Sequence, residues 1–221
     1  MLNLLRIAFR NMNRQKKRSL LLGGAIAFGI LIITLLNGFT AGLADNIKNN
    51  FSGSFGGHIY ISGRELTGSG RTVSLIRDDS LLNEILKNPA LEVEQVNKRS
   101  RTMASLIFGS KEQITRIDGV DWQREKELEN LELIEGSLEN CRDAGALILP
   151  ASTADKLGVQ VGETLLARLS TVTGQQNVGE FVLAGIMDDQ GSFGFSAAYA
   201  DLEYLNSLLG LSPGQYQLFH I

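Results

Sequence analysis

Residues 19–44 carry 26 consecutive positions without a charge, and this run constrains the chain more than any other feature. It is preceded by Arg14, Lys16, Lys17 and Arg18. Such a pattern is either an export signal that is cut away or a permanent membrane helix. The apolar region of a cleavable signal is about 7 to 15 residues long. Twenty residues, 20–39, rise about 30 Å as a helix, which matches the hydrocarbon core of a bilayer. Twelve of those twenty are Leu, Ile or Phe. At about 0.3 to 0.6 kcal/mol each, their insertion is favourable by roughly 4 to 7 kcal/mol before the costs of Thr34, Asn37 and the glycines. A small-residue cleavage site exists at residues 42–44, but length and composition favour an uncleaved span over 20–41.

The flanks orient it. Arg6, Arg10, Arg14, Lys16, Lys17 and Arg18 all precede the span, and the first acidic residue is Asp45. Cations are retained on the cytoplasmic side, so the N-terminus is expected inside and everything after about residue 42 outside the cytoplasm. Within residues 1–19, Leu2, Leu5, Phe9 and Met12 recur at steps of three and four beside Arg6, Arg10 and Arg14, the pattern of an amphipathic basic helix on the inner leaflet, in contact with membrane lipid.

The overall charge of −3 averages two unlike regions. With six of 21 basic residues upstream of the span, 15 remain against 24 acidic ones, so residues 45–221 have a net charge of −9. That charge repels nucleic acid, and no basic, aromatic-interleaved patch offsets it. A single cysteine, Cys141, excludes an intrachain disulfide and a cysteine-based zinc site together. The exported part must be held by packing.

Its elements follow from pattern. Residues 58–62, β-rich and bounded by glycine, predict a strand; 64–72 predict a loop; Asp78 or Asp79 caps a short helix that ends before Pro89. Strands are predicted near 92–96, 102–108 and 113–118, with a break at 97–101 and a hairpin turn at Gly109 and Ser110. Residues 122–136 predict a short helix and an extended segment. "ALILP" predicts a buried strand whose Pro150 opens a helix over 151–157, stopped by Gly158. Two antiparallel strands follow, and then a strand and a helix capped by Asp201. Helices and strands are interspersed without strict alternation, so the fold class is α+β, a transmembrane helix followed by a mixed domain.

The segments "LRIAFRNMNRQKKRSLLLGGAIAFGILII", "TRIDGVDWQREKELENLELIEG", "GALILPASTADKLGVQVGETLLARL" and "EFVLAGIM" together resemble permeases of ABC transporters of the MacB and LolC/LolE type, over essentially the whole chain. The resemblance implies a bacterial inner-membrane protein with a porter-like subdomain over 42–110 and 188–221 and a sabre-like subdomain over 111–187. It implies as partners a cytoplasmic ABC ATPase subunit, a second permease chain and lipoprotein or other amphipathic cargo, with no catalytic residue and no cofactor in the permease itself. Two departures stand out. Lipoprotein-releasing permeases dock a soluble carrier through an extended hairpin, whereas the connection here, 170–179, is short and lacks proline; the candidate partner-contact residues are Thr171, Val172, Thr173, Gly174, Gln175, Gln176, Asn177 and Val178. The family also has four transmembrane helices where one is present here, so the chain is expected to be an incomplete permease, with a single-pass anchored periplasmic module as the rival reading.

The remaining candidates are better explained by structure than by chemistry. His58 and His220 have no companion at ligand spacing. Cys141 has no neighbouring base. Glu125, Glu127, Glu129, Glu132, Glu135 and Glu139 lack the spacing of a calcium loop and predict a solvated face. The glycine-rich stretches at 52–57 and 63–72 contain neither a phosphate loop nor a nucleophile elbow.

Overall fold

The computed structural model describes residues 15–55, 59–66, 70, 72–88, 91, 93, 95–125, 128, 131–189 and 196–221, with side chains omitted over 45–55. The chain divides into two compact units, 1–48 and 49–221.

The first unit is dominated by helix α1 (Lys16–Phe55), whose segment Lys16–Ala44 is long and apolar enough to cross a membrane. Its large side chains, among them Leu21, Phe28, Ile33 and Phe39, are exposed. Thr34 and Thr40 return their hydroxyls to the carbonyls of Ile30 and Leu36, at 2.9 and 2.8 Å, which satisfies both groups without water. The expected interfacial helix lies outside the described residues except for its last few positions, which form the start of α1.

The second unit is built on a closed ring of six strands. In chain order the unit contains β1 (Tyr60–Ser62), β2 (Glu65–Leu66), β3 (Thr72–Val73), α2 (Ser80–Leu86), β4 (Asn97–Phe108), β5 (Lys111–Val120), β6 (Leu133–Gly136), a 3₁₀ turn (Leu138–Arg142), β7 (Ala146–Pro150), α3 (Ala151–Leu157), β8 (Thr164–Ser170), β9 (Gln176–Met187), β10 (Ala198–Asp201), α4 (Leu202–Leu209) and β11 (Leu218–His220). The pairing runs β4, β5, β10, β7, β9, and β8 joins β9 back to β4, closing a barrel. Two contacts in it are parallel, β10 with β5 and β7 with β9; the others are antiparallel.

Alternation along the strands decides what fills the barrel. Ala104 and Leu106 of β4, Ile117 of β5, Leu165, Ala167 and Leu169 of β8, and Phe181 and Leu183 of β9 all point to one side and are buried. Small residues on β10, Ala198 and Ala200, leave room for Phe181 and the leucines, so the interior is a packed core and not a channel. Ala154 and Leu157 of α3 and Leu205 and Leu209 of α4 complete the same cluster. Gly119 admits α4, since a Cβ there would lie 2.9 Å from a Leu205 methyl.

Outside the ring, one side is covered by the described residues of 121–145, among which Leu128, Cys141 and Leu138 lie against Ile148, Tyr199 and Met187. At another edge, β11 and β1 extend the sheet from the first residues of β4, and α2 packs Leu82 and Leu86 on Phe219, Tyr216 and Ile76. Four expectations change. The break expected at 97–101 is continuous strand, because the polar residues there meet buried partners; the strand expected at 92–96 is not seen at Val93, Gln95 or Val96. Residues 64–72 include the paired strands β2 and β3. The short helix expected within 122–136 is reduced, among the described residues, to 3₁₀ conformation at Leu128, after a turn at 122–124 and before the extended β6. The α+β class, the hairpin at 109–110, α3 with Pro150 before it and Gly158 after it in the left-handed conformation at φ 70°, and the Asp201 cap all form as expected.

Candidate functional site

The expected contact hairpin is the turn between β8 and β9, and it is tied down. Thr171 N–H donates to the Gln175 carbonyl (2.8 Å), and Gly174 N–H to that of Thr171 (2.9 Å). Gly174 takes φ 88°, which a side chain would resist. Beyond the turn's own bonds, Val172 N–H donates to the Leu209 carbonyl (3.0 Å) and Asn177 Nδ2 to the Leu208 carbonyl (2.8 Å). Those carbonyls belong to the last turn of α4, where acceptors lack intrahelical partners. The hairpin therefore serves as a cap for α4, and Val172 packs against the barrel core. Thr173, Gly174, Gln175 and Gln176 remain exposed, and Val178 faces outward from β9.

A cleft beside this turn is lined by Ser170, Thr171, Val172, Gly174, Arg101 and Gln217, among others. Its one cation among the described residues is engaged: Arg101 Nε and Nη2 donate to the two oxygens of Asp118 at 2.8 and 3.1 Å. Arg116 Nε lies 3.2 Å from the same carboxylate.

Asp118 in turn adjoins a fully buried ion pair. Arg99 of β4 donates to Glu125, with Nε to Oε2 at 2.9 Å and a second, shorter contact from Nη2, and both side chains are sealed from solvent. Burial works against the charge on Arg99, and the adjacent Glu125 carboxylate outweighs it, so the guanidinium is held more firmly protonated than usual. Tyr199 is pushed upward in pKa by burial, with Arg99 opposing, and stays a neutral phenol. Of the acidic stretch expected to be solvated, Glu132, Glu135 and Glu139 are exposed, Glu127 and Glu129 lie outside the described residues, and Glu125 is the exception. The signal for it was the cation run at 98–101, which cannot sit in a strand between two cores unless its inward members are neutralised.

A third cluster joins α2, β4 and the segment before β11. Asp79 receives the Tyr216 hydroxyl at 2.9 Å and Lys98 Nζ at 2.5 Å, and the ammonium lies 4.9 Å from the centre of the Tyr216 ring. Lys98 above all, then Tyr216, hold the Asp79 carboxyl below its usual range against the opposing effect of burial. A second cleft, lined by Lys98, Asn97, Asp121, Arg124, Glu125 and Gln215 among others, opens between this cluster and the buried pair.

Cys141 is buried with its thiol 3.4 Å from the Ser137 carbonyl, and burial pushes its pKa up to about 11. His220 is packed in β11 with its ring 6.3 Å from that of Tyr60; His58 lies outside the described residues. No group of three or more potential metal-ligating side chains occurs among the described residues.

The sequence profile of the MacB-like periplasmic core domain matches residues 19–219. No curated protein matches the chain. Solved structures similar to it include the extracellular domain of the noncanonic ABC-type transporter YknZ from Gram-positive bacteria (15% identity, 59% of this chain and 66% of that one, TM-score 0.43). A domain of a putative permease from Porphyromonas gingivalis matches at 16% identity over 72% and 69%, with TM-score 0.41. The periplasmic region of MacB from Actinobacillus actinomycetemcomitans matches at 14% identity over 62% and 60%, with TM-score 0.41.

Proposed function

We propose, from the premise that the chain belongs to the MacB-like periplasmic core domain family of transporter permeases, that it couples ATP hydrolysis by a cytoplasmic partner subunit to movement of lipoprotein or other amphipathic cargo on the outer side of the cytoplasmic membrane. The observation that carries this reading is the extent of the family match, which takes in the apolar helix as well as the exported domain. The six cations at positions 6–18, ahead of the uncharged run 19–44, support an N-terminus in the cytoplasm and an α+β unit in the periplasm. A permease of this kind transmits force and needs no reacting group. The continuous β4, the closed ring and the buried Arg99 and Glu125 supply a stiff body suited to that task.

Carrier docking through the hairpin is not part of this proposal. The turn at 171–175 is short, and its Val172 is turned inward onto the core.

The test is affinity purification of the tagged full chain from native membranes in mild detergent. An ABC ATPase subunit is expected to accompany it in stoichiometric amount, and its absence would favour an anchored periplasmic module that acts without ATP. Topology is read separately. A cysteine at exposed Ile134, in a Cys141→Ser background, is expected to react with a membrane-impermeant maleimide in intact spheroplasts; reaction only after lysis would reverse the orientation.

A further inference from the structure

The cleft between the Asp79 cluster and the buried pair of Arg99 and Glu125 has no part in the permease reading. It encloses a cavity of about 180 Å³ and is bounded by the start of β4, the turn after β5, the first turn of α4 and the turn before β11. Two of the polar side chains that line it, Asn97 (3% exposed) and Glu125 (1%), are buried, so the cleft reaches into the fold.

Its charges can be matched one by one. Lys98 is held by Asp79 at 2.5 Å and Glu125 by Arg99, and both of those partners lie outside the lining. Asp121 has Arg124 Nε at 3.4 Å, a long and exposed contact. Glu203, on the first turn of α4, has no counter-charge among the described residues. The cleft is left with one unmatched carboxylate and a second that is loosely held. Acceptors are in excess as well. Asn206 follows Leu202 and Glu203 by about one turn of α4 and gives its Nδ2 to the Gln215 carbonyl (2.9 Å). Its Oδ1 is buried with no hydrogen bond among the described residues, which is costly.

These imbalances select the ligand's charge. An anion would face Asp121 and Glu203 and would have to draw Lys98 away from Asp79. A neutral molecule would leave Glu203 unmatched. A cation with N–H donors answers both the charge and the excess of acceptors, and the net charge of −9 on residues 45–221 raises its local concentration. Val96, Leu202 and Tyr216 supply apolar contact in the same lining, which suits an aliphatic stem behind the charge.

We infer that this cleft binds an organic cation, an aliphatic stem of about four carbons ending in an ammonium or guanidinium, with Glu203 and Asp121 receiving the charged end. The inference goes beyond the permease reading and does not rest on it. A free alkylamine and a lysine or arginine side chain of a polypeptide both offer this chemistry.

The chain's single tryptophan, Trp122, directly follows Asp121 and serves as the reporter. The full chain in neutral detergent is titrated at constant ionic strength with n-butylammonium and, separately, with n-butanol, which has the same stem without the charge. A saturable change in Trp122 fluorescence is expected with the amine, at least tenfold tighter than any response to the alcohol. Ligand-detected saturation-transfer NMR on the same samples registers binding that leaves the indole unmoved. Glu203→Gln is expected to weaken amine binding about fivefold, whereas Glu139→Gln, an exposed acid outside the lining, leaves it within twofold. Both substitutions are at exposed positions and keep the shape of the side chain, so loss of folding does not imitate the result. Equal affinity for amine and alcohol, no saturable amine binding by either measurement, or equal losses in the two variants overturns the proposal. A capped peptide with one lysine among alanines then separates the sources. Binding at least tenfold tighter than n-butylammonium assigns the cleft to a basic side chain of a partner polypeptide, and equal or weaker binding assigns it to a free amine.

Discussion

The ion pair of Arg99 with Glu125 shows how much depends on a single partner in a dry interior. Taking either charge out of water is costly, and the attraction between them compensates only while both are present and hydrogen-bonded. Glu125→Gln is therefore expected to destabilise the exported unit by about 3 to 5 kcal/mol, because it leaves the guanidinium buried without its counter-charge. Replacing both, as Arg99→Met with Glu125→Leu, is expected to recover most of that loss, and denaturant unfolding of the two variants distinguishes removal of a charge from removal of packing. Asp79 gives a different kind of test. Its pKa is held below the unfolded value of 3.8, chiefly by the hydrogen bond from Lys98. A depressed carboxyl contributes stability above its unfolded pKa and loses it as pH falls through the folded value. Asp79→Asn is accordingly expected to lower Tm by roughly 2 to 4 °C at pH 7, corresponding to about 1 kcal/mol for a partly exposed pair, and the difference should shrink below about pH 4 and vanish at lower pH. A difference that persists unchanged at pH 2.5 would assign the effect to packing.

At the level of elements, the hairpin after β8 stabilises a helix end, and its variants should report that. Asn177→Ala removes the donor to the Leu208 carbonyl and is expected to cost about 1 kcal/mol. Val172→Asp buries a charge at the edge of the core and is expected to cost more, while substitutions at exposed Thr173 and Gln176 should leave thermal unfolding within about 0.5 kcal/mol of wild type. The same hairpin illustrates what local sequence conveys. Alternation in 164–170 and 176–187 and the glycine between them determine two strands and a turn, and all of these were legible. That the turn would fold back on α4 was not, since it rests on contacts between residues far apart in the chain, Asn177 with Leu208 and Val172 with Leu209. The break expected at 97–101 failed for a related reason. Asn97, Arg99 and Arg101 look like a solvated turn until Glu125 and Asp118 are brought opposite them by a chain that doubles back. Likewise the capping residue of α2 was anticipated, yet the Asp79 carboxylate is spent on Lys98 and Tyr216, and it is Asp78 that accepts the Ser80 N–H.

On the scale of the whole exported unit, closure of the ring determines which pieces can fold alone. Pairwise adjacency along the chain suggests a middle segment, 111–187, with its own strand pairs, and β8 with β9 is such a pair. In the barrel, however, β5 reaches β7 only through β10, and β8 reaches β5 only through β4. Both linking strands, 97–108 and 198–201, lie outside that segment. Excised, it would expose the free edges of β5, β7 and β8 and open a core in which Leu106, Ala198 and Ala200 are fully or almost fully buried. Residues 111–187 expressed alone are thus expected to lack cooperative unfolding and to show no slow-exchanging amides. In the intact chain, hydrogen exchange should give strong and similar protection in β4, β5, β8, β9 and β10, since opening any one of them opens the ring. Lower protection is expected in β1 and β11, which extend the sheet from the end of β4 by three residue pairs each. A native-like, cooperatively melting 111–187 fragment would mean that the segment is an autonomous subdomain and that the ring, though closed, is not the unit of stability.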